Sequence, residues 1–199
     1  RSGGDALPPT PQEVAVEDYA LSRRLYLYSS NKPQPLVSDF LAFARSDAAQ
    51  VIIEKVGFVS QRVRAYQPEL RAGASTAYRE LVAGARRLSL NFRFNPASAA
   101  LDNKSQQDIQ RLREFMRQPA QRDQRLILVG FADGAEVVPV QAEQLSSERA
   151  DQVAAALLAY QIPVSRVRGV GDTAPVAPRI SALGQARNHR VEVWMKQSP

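Results

Sequence analysis

Hydrophobic and polar positions in the second half of the chain repeat with two different periods. Over Leu88–Phe94, apolar side chains alternate with polar ones, which predicts a strand with one buried face. From about Ala99 to Arg117, apolar residues recur three and four positions apart, which predicts an amphipathic helix. The uninterrupted apolar run Leu126–Val129 is typical of a buried central strand.

The pattern continues toward the C-terminus with one more helix and two more strands. Ser146 or Ser147 can cap a helix whose apolar residues keep helical spacing. A strand over Val167–Val170, a loop rich in Pro, Ala and Gly, and an alternating strand over His189–Met195 follow. Residues 88–195 are therefore predicted as β-α-β-α-β-loop-β, an α/β (α+β two-layer) fold whose helices pack on a sheet that is at least partly parallel.

The first half of the chain carries weaker signals of the same kind. Leu25–Tyr28 predicts a short strand, and residues from about Leu36 to Val56 predict one long helix that ends at Gly57. A second amphipathic helix is predicted over Glu69–Ala85. The predicted organisation has three parts: a small α/β segment over residues 1–66, a connecting helix over residues 67–86, and a domain over residues 87–199.

Composition narrows the chemistry available to these 199 residues. There is no cysteine and one histidine, His189, which excludes thiol nucleophiles and thiolate-bound metals and argues against a catalytic triad. The carboxylates Asp133 and Glu136 lie in a predicted turn, without an apolar pocket to separate their pKa values. We therefore predict no enzyme, no metal and no cofactor. The longest nearly apolar run, Ala154–Tyr160, is too short to cross a membrane, so no transmembrane span is predicted.

Four short motifs follow one another in the second half. They are Phe92–Asn95 (FRFN), Gly130–Gly134 (GFADG), Leu145–Val153 (LSSERADQV) and Asn188–Val193 (NHRVEV). Together they make residues 88–196 resemble the OmpA-like peptidoglycan-binding domain. The resemblance implies a mixed sheet, a periplasmic location that leaves outer-membrane association open, and non-covalent binding of the diaminopimelate-type stem peptide, which would anchor the protein to the cell wall.

The resemblance also implies a binding site for the zwitterionic end of diaminopimelate. Carried over by position, Asp133 would bind the ammonium group and Arg149 the carboxylate, for which a planar guanidinium is well suited. Both side chains are expected to face solvent in the free protein, so that substitution would change the melting temperature little. Supporting positions implied by the same motifs are Asn95, Ala132, Asn188 and Arg190.

The motifs depart from the family pattern, and each also has a simpler interpretation. Phe131 and Ala132 stand where the family usually has His and Thr, and Ala142 and His189 replace an Asn and an Arg. Asp133–Gly134 is also an ordinary turn signal. Arg149 could equally be a solvated surface charge paired with Glu148 or Asp151. Both interpretations of these residues stay open at this point.

Three motifs also lie in the first half: Tyr19–Tyr28 (YALSRRLYLY), Phe40–Phe43 (FLAF) and Gln50–Val59 (QVIIEKVGFV). They make residues 8–60 resemble a different family, the closing segment of phosphate-type periplasmic substrate-binding proteins. The family's anion-binding residues lie mostly upstream, so a remnant of an anion-transport protein is an alternative function. An RNA-binding sheet that uses Phe92 and Phe94 is a further, weaker alternative, and we predict no nucleic acid partner. The apolar side chains of residues 14–59 are expected to pack on Glu69–Ala85 or on a second copy of the chain, as a homodimer.

Overall fold

The computed structural model describes residues 7–71, 73–101, 103–134 and 137–197, which divide into two compact units, Leu7–Arg62 and residues 63–197. The first unit contains helices α1 (Pro11–Ala15), α2 (Pro35–Arg45) and α3 (Asp47–Lys55). The second contains β1 (Ala65–Tyr66), α4 (Thr76–Leu81), β2 (Arg86–Arg93), α5 (Asn103–Met116), a 3₁₀ turn (Pro119–Gln121), β3 (Gln124–Gly130), α6 (Pro139–Ala159), β4 (Val164–Gly169), α7 (Ala182–Asn188) and β5 (Arg190–Gln197).

The second unit is built on a five-stranded sheet in the order β1-β2-β5-β3-β4. β3 and β4 run parallel, and the other neighbouring strands are antiparallel. The parallel pair is connected through α6, as a crossover connection requires. The predicted fold class, helices packed on a mixed sheet, is confirmed.

The face of the sheet covered by α5 and α6 holds the larger hydrophobic core. Alternate residues of β2 and β5 point into it, because side chains of a strand alternate between the two faces. Ile109 and Leu112 from α5 and Val153 and Leu157 from α6 pack on this face. The strand residues of this core are Leu88, Leu90, Phe92, Leu126, Leu128, Val191, Val193 and Met195.

The opposite face of the sheet is also buried, which the alternation in β2 did not predict. Tyr78 of α4 and Val82 pack there with Trp194 and Phe131. The Tyr78 ring lies edge-on to Phe131, with centroids 5.3 Å apart. A strand with polar residues on this face is therefore buried on both sides, and its polar groups need internal partners.

A carboxylate on β5 supplies the central partner. Glu192 is fully buried and accepts hydrogen bonds from the Tyr78 hydroxyl at 2.6 Å and from Trp194 Nε1 at 3.0 Å. Arg190 Nη2 lies 2.8 Å from the same carboxylate, and Arg87 Nη2 lies at 3.4 Å. This set of charged and polar groups joins α4, β2 and β5 beneath the second face.

Several predicted helix boundaries are wrong. α6 begins at Pro139 rather than at Ser146, because proline is well placed in a first helical turn, and the Ser146 hydroxyl instead donates to the Glu143 carbonyl one turn back. The helix predicted over Glu69–Ala85 is confined to α4, with Ser75 as its cap. The predicted loop before β5 contains α7. Among the described residues, no helix is both long and apolar enough to cross a membrane.

The first unit differs from its prediction in two respects. The single predicted helix is two helices, because Ser46 has extended backbone and its side chain caps α3 by accepting from Ala49 N. The strand predicted over Leu25–Tyr28 does not form; these residues have no regular structure, and their side chains are exposed. Alternating apolar residues form a stable strand only where a neighbouring strand and a core accept them.

The buried phenol predicts how the stability of the second unit depends on pH. Burial, and then the charge of Glu192, raise the pKa of Tyr78 well above its ordinary value. In the unfolded chain the phenol ionises at about pH 10. The stability contributed by neutral Tyr78 is therefore fully present below that pH and is lost as pH rises beyond it.

We therefore expect Tyr78→Phe to lower the free energy of unfolding by about 1 kcal/mol at neutral pH, through loss of one buried hydrogen bond. The same variant should lose less stability than the parent between neutral pH and about pH 10.5. Urea unfolding at the two pH values measures both effects. Tyr28→Phe, at an exposed position, is the control, and equal alkaline losses in parent and Tyr78→Phe would contradict the prediction.

Candidate functional site

The candidate site lies at the end of β3, where the backbone of α6 approaches the backbone of the sheet closely. A Cβ on Gly130 would overlap the Ser146 carbonyl oxygen, and a Cβ on Gly169 would overlap the Ser147 backbone nitrogen. Two glycines at the ends of neighbouring parallel strands therefore let the helix backbone approach this closely. The approach places Arg149, on the next turn of α6, over the end of β3.

Arg149 is fully buried and holds three backbone segments together. Its Nη1 donates to the Phe131 carbonyl at 3.2 Å, just beyond β3. Its Nε and Nη2 donate to the carbonyls of Ser98 at 3.0 Å and Asn95 at 3.1 Å, in the segment after β2. The guanidinium carbon also lies 5.4 Å from the centre of the Phe94 ring. The interpretation of Arg149 as a solvated surface charge is therefore wrong.

Asp133 is also fully buried, two residues beyond the carbonyl that Arg149 binds. Its Oδ2 accepts from Asn188 Nδ2 at 2.6 Å, and its Oδ1 lies 3.2 Å from Arg179 Nε. The expectation that Asp133 and Arg149 face solvent is therefore wrong. The segments after β2 and β4 cover the end of β3 and supply the groups that bind both charges.

The supporting positions take different places around this strand end. Asn188 holds the loop before α7, because its Oδ1 accepts from the backbone nitrogens of Val176 and Ala177 at 2.9 and 3.1 Å. Ala132 is buried, and its nitrogen donates to Gly171 O at 3.1 Å. Asn95 has an exposed side chain and contributes its carbonyl to Arg149.

Arg190 is on the other face of the sheet. Its guanidinium lies 3.7 Å from the centre of the Phe131 ring, and its Nε donates to Glu192 at 2.9 Å. Its Nη2 donates to the Ala174 carbonyl at 3.0 Å. The structure therefore places Arg190 among the buried groups around Glu192, with Phe131 as its link to the candidate site.

Two charged residues at the site, Asp172 and Arg179, were not predicted from the sequence. Arg179 Nη2 forms an ion pair with Asp172 Oδ1, and Arg179 Nε forms a second one with Asp133 Oδ1. Burial is the largest cause that raises the pKa of Asp172, and Asp133 raises it further. These residues are seven positions apart in a loop rich in Pro and Ala, so no local spacing pointed to them.

The structure also bears on the alternatives of an RNA-binding sheet, a catalytic carboxylate pair and a metal site. Phe92 and Phe94 are buried in the core of the first face, so they are not available for stacking on RNA bases, and that alternative is wrong. Glu136 of the considered carboxylate pair lies outside the described residues. Among the residues that are described, no three His, Asp or Glu side chains are grouped to bind a metal ion.

Burial of the site predicts that its arginine contributes to stability. We expect Arg149→Ala to lower the free energy of unfolding by about 3 kcal/mol, because three backbone carbonyls lose a charged donor. Thermal or urea unfolding measures the loss. Arg168→Ala, which removes an exposed arginine from β4, should have no comparable effect. An Arg149→Ala variant as stable as the parent would mean that these carbonyls are satisfied without it.

Comparison with known proteins identifies the segment that carries the site. Residues 93–189 match the model of the OmpA family. The probable lipoprotein YiaD of Escherichia coli (strain K12) is 44% identical over 54 residues, which are 26% of this chain and 25% of that protein. The aligned stretch therefore spans about a quarter of the length of this relative.

A solved structure shares the fold at low identity, and another aligns less closely. A putative MotB-like protein from Desulfovibrio vulgaris aligns with a TM-score of 0.50 at 19% identity, over 80% of this chain and 93% of that chain. The peptidoglycan-associated lipoprotein from Burkholderia pseudomallei aligns with a TM-score of 0.48 at 17% identity, over 53% and 89%. These matches give no support to the resemblance of residues 8–60 to phosphate-type binding proteins. Residues 93–189 are therefore similar to the OmpA family.

Proposed function

We propose that the OmpA-like domain binds the stem peptide of diaminopimelate-type peptidoglycan without covalent chemistry, and so anchors its protein to the cell wall in the periplasm. The ligand group is the zwitterionic end of diaminopimelate. Its ammonium would bind at Asp133 and its carboxylate at Arg149, with Asn188 orienting the aspartate. The three other positions would act indirectly. Asn95 and Ala132 would contribute backbone groups near these two charges, and Arg190 would contribute its contact with Phe131 in the core.

One observation carries the proposal: opposite charges are held at the same end of β3. Arg149 binds the Phe131 carbonyl, two residues before Asp133, so one short piece of backbone fixes the position of both groups. The three carbonyl acceptors of Arg149 are neutral, so they orient the guanidinium without cancelling its charge. A fixed cation beside a fixed anion is what a zwitterion requires of its site.

The matches with known proteins support the same proposal. The OmpA family match covers Asn95, the end of β3, α6 and α7, and so includes Asp133, Arg149 and Asn188, whereas Arg190 lies one residue beyond it. The E. coli relative is a probable lipoprotein, which agrees with a location in the cell envelope. The proposal includes no bond cleavage, because no thiol is present and the one histidine, His189, is buried.

The test of the site uses two substitutions: Asp133→Asn keeps the shape of the side chain and removes its charge, and Arg149→Lys keeps the charge and removes the planar guanidinium. We expect Asp133→Asn and Arg149→Lys each to weaken binding to purified diaminopimelate-type sacculi by about 10- to 100-fold, because a charge-assisted hydrogen bond contributes about 1.5–3 kcal/mol. Co-sedimentation at several protein concentrations measures the affinity, and free meso-diaminopimelate should compete with the parent protein.

Asp151→Asn is the matched control, because it removes an exposed carboxylate from α6 and should leave sacculus binding unchanged. Melting temperatures of all variants separate loss of binding from loss of fold. If Asp133→Asn and Arg149→Lys pellet with sacculi as the parent does, the assignment of this pair is wrong. Release of soluble muropeptides by the clean protein would contradict a purely binding role.

We also propose that the first unit mediates a homodimer. Phe40 and Phe43 on α2 and Ile52 on α3 are 57%, 48% and 52% exposed. The helix α4, which was the other candidate partner for them, uses Tyr78 to pack against its own sheet. Exposed apolar surface of this extent usually marks an interface, and a second copy of the chain is the partner that is always available.

Light scattering over a range of concentrations tests this proposal. The parent chain should show a mass that rises toward that of a dimer, and Phe40→Asn should shift the equilibrium toward the monomer. Asp39→Asn, at the neighbouring exposed position of α2, is the control and should behave as the parent. A parent mass that stays monomeric at every concentration would contradict the proposal.

A further inference from the structure

Arg179 occupies the position at Asp133 that a ligand ammonium would need. Its Nε lies 3.2 Å from Asp133 Oδ1, and the side chain of Asp133 is fully buried beneath it. The Arg179 side chain itself is 41% exposed. An incoming cation can therefore reach this carboxylate oxygen only after the guanidinium has moved away.

The backbone on both sides of Arg179 is fixed, so the side chain can move alone. Its carbonyl accepts from Gln185 Nε2 of α7 at 2.8 Å. Asn188 Oδ1 accepts hydrogen bonds from the backbone nitrogens of Val176 and Ala177, which lie three and two residues before Arg179. An exposed arginine on a fixed backbone exchanges between rotamers far faster than a loop rearranges.

Asp172 can keep its ion pair with Arg179 after the guanidinium has left Asp133. The carboxylate of Asp172 pairs with Arg179 Nη2, and the Gly134 backbone N–H hydrogen bonds to the same carboxylate. A Cβ at Gly134 would overlap the Asp172 carboxylate, so a larger residue there would displace that side chain. Asp172 is thus held beside Asp133 independently of Arg179.

The charges at this position allow one cation to replace another. Asp133 and Asp172 carry two negative charges when ionised, and Arg179 and Arg149 supply two positive charges. Burial raises the pKa of Asp172, and so does the neighbouring Asp133, whereas Arg179 lowers it. A ligand ammonium would take the place of Arg179 at Asp133, while Arg179 stays paired with Asp172.

We propose that Arg179 is a specificity-determining residue of this site, which gives up Asp133 to the ligand ammonium and then binds, together with Arg149, the carboxylate next to that ammonium. The inference rests on the proposed peptidoglycan function. A guanidinium has two donor edges, so one edge can stay on Asp172 while the other binds the ligand carboxylate. The exchange replaces the lost contact with Asp133 by an equivalent contact.

The exchange discriminates between two classes of ligand. A zwitterionic end, as in diaminopimelate, supplies both the ammonium that displaces Arg179 and the carboxylate that receives it. A simple amine end, as in lysine, supplies the ammonium alone, so the displaced guanidinium loses one anionic partner without gaining another. Arg179 therefore penalises lysine-type stem peptides relative to diaminopimelate-type peptides.

The test compares two soluble tripeptides, Ala-D-Glu-meso-diaminopimelate and Ala-D-Glu-Lys, as competitors of sacculus binding. The parent should prefer the diaminopimelate peptide, and Arg179→Gln should reduce the ratio of the two affinities at least fivefold. Arg179→Lys, which keeps the charge but lacks a planar fork, should give an intermediate ratio. Arg168→Gln, at an exposed position of β4, is the control and should keep the parental ratio.

Asp133→Asn separates failure of this inference from failure of the proposed function. If Asp133→Asn weakens binding of both peptides while Arg179→Gln keeps the parental ratio, the role of Arg179 is wrong and the peptidoglycan site stands. If Asp133→Asn binds both peptides as the parent does, the proposed site and the role of Arg179 both fail. Melting temperatures of the variants establish that each is folded.

Discussion

The close approach of α6 to the sheet is the constraint on which the rest of the site depends. Without side chains at Gly130 and Gly169, the backbone of α6 at Ser146 lies against the ends of β3 and β4. The Ser146 hydroxyl also accepts from Gly171 N at 3.0 Å, which ties the segment after β4 to the helix. A larger residue at either glycine would move the helix outward, and Arg149 would then no longer reach the Phe131 carbonyl. The geometry of the charge pair is thus set by packing at positions that carry no functional group.

Burying the charged groups couples recognition to stability. A buried charge is tolerated only where other groups compensate its lost hydration, and here backbone carbonyls, Asn188 and Arg179 do so. The second face repeats this solution around Glu192, with Tyr78, Trp194 and Arg190 as partners. Phe131 belongs to both sets, since its carbonyl binds Arg149 and its ring lies under Arg190. Phe131 therefore contacts both the core beneath the second face and the arginine at the strand end.

The sequence predicted those features that local spacing determines. The alternation of β2 and β5 and the apolar run of β3 follow from which side chains a sheet can bury, and all three strands form. The predicted start of α6 was wrong because serine is a favoured N-cap residue, which pointed to Ser146. The helix begins seven residues earlier, at Pro139. Leu25–Tyr28 has strand composition but no neighbouring strand. Arg179 and Asp172 become neighbours of Asp133 only through the fold, so spacing along the chain carried no signal for them.

The departures from the family motif also take on a physical meaning. Phe131 stands where the family has a polar residue, but its side chain points into the core of the second face, 5.3 Å from Tyr78. Its apolar character therefore serves burial of that face, because Tyr78 and Trp194 fill the surrounding space. Ala132 is buried and contributes a backbone nitrogen that any residue could supply. The polar contacts on Asp133 come instead from Asn188 and Arg179, on the segment before β5. Polarity lost in one motif is thus replaced from another part of the chain, and one of the replacing groups is Arg179, the cation for which a role in recognition is proposed above.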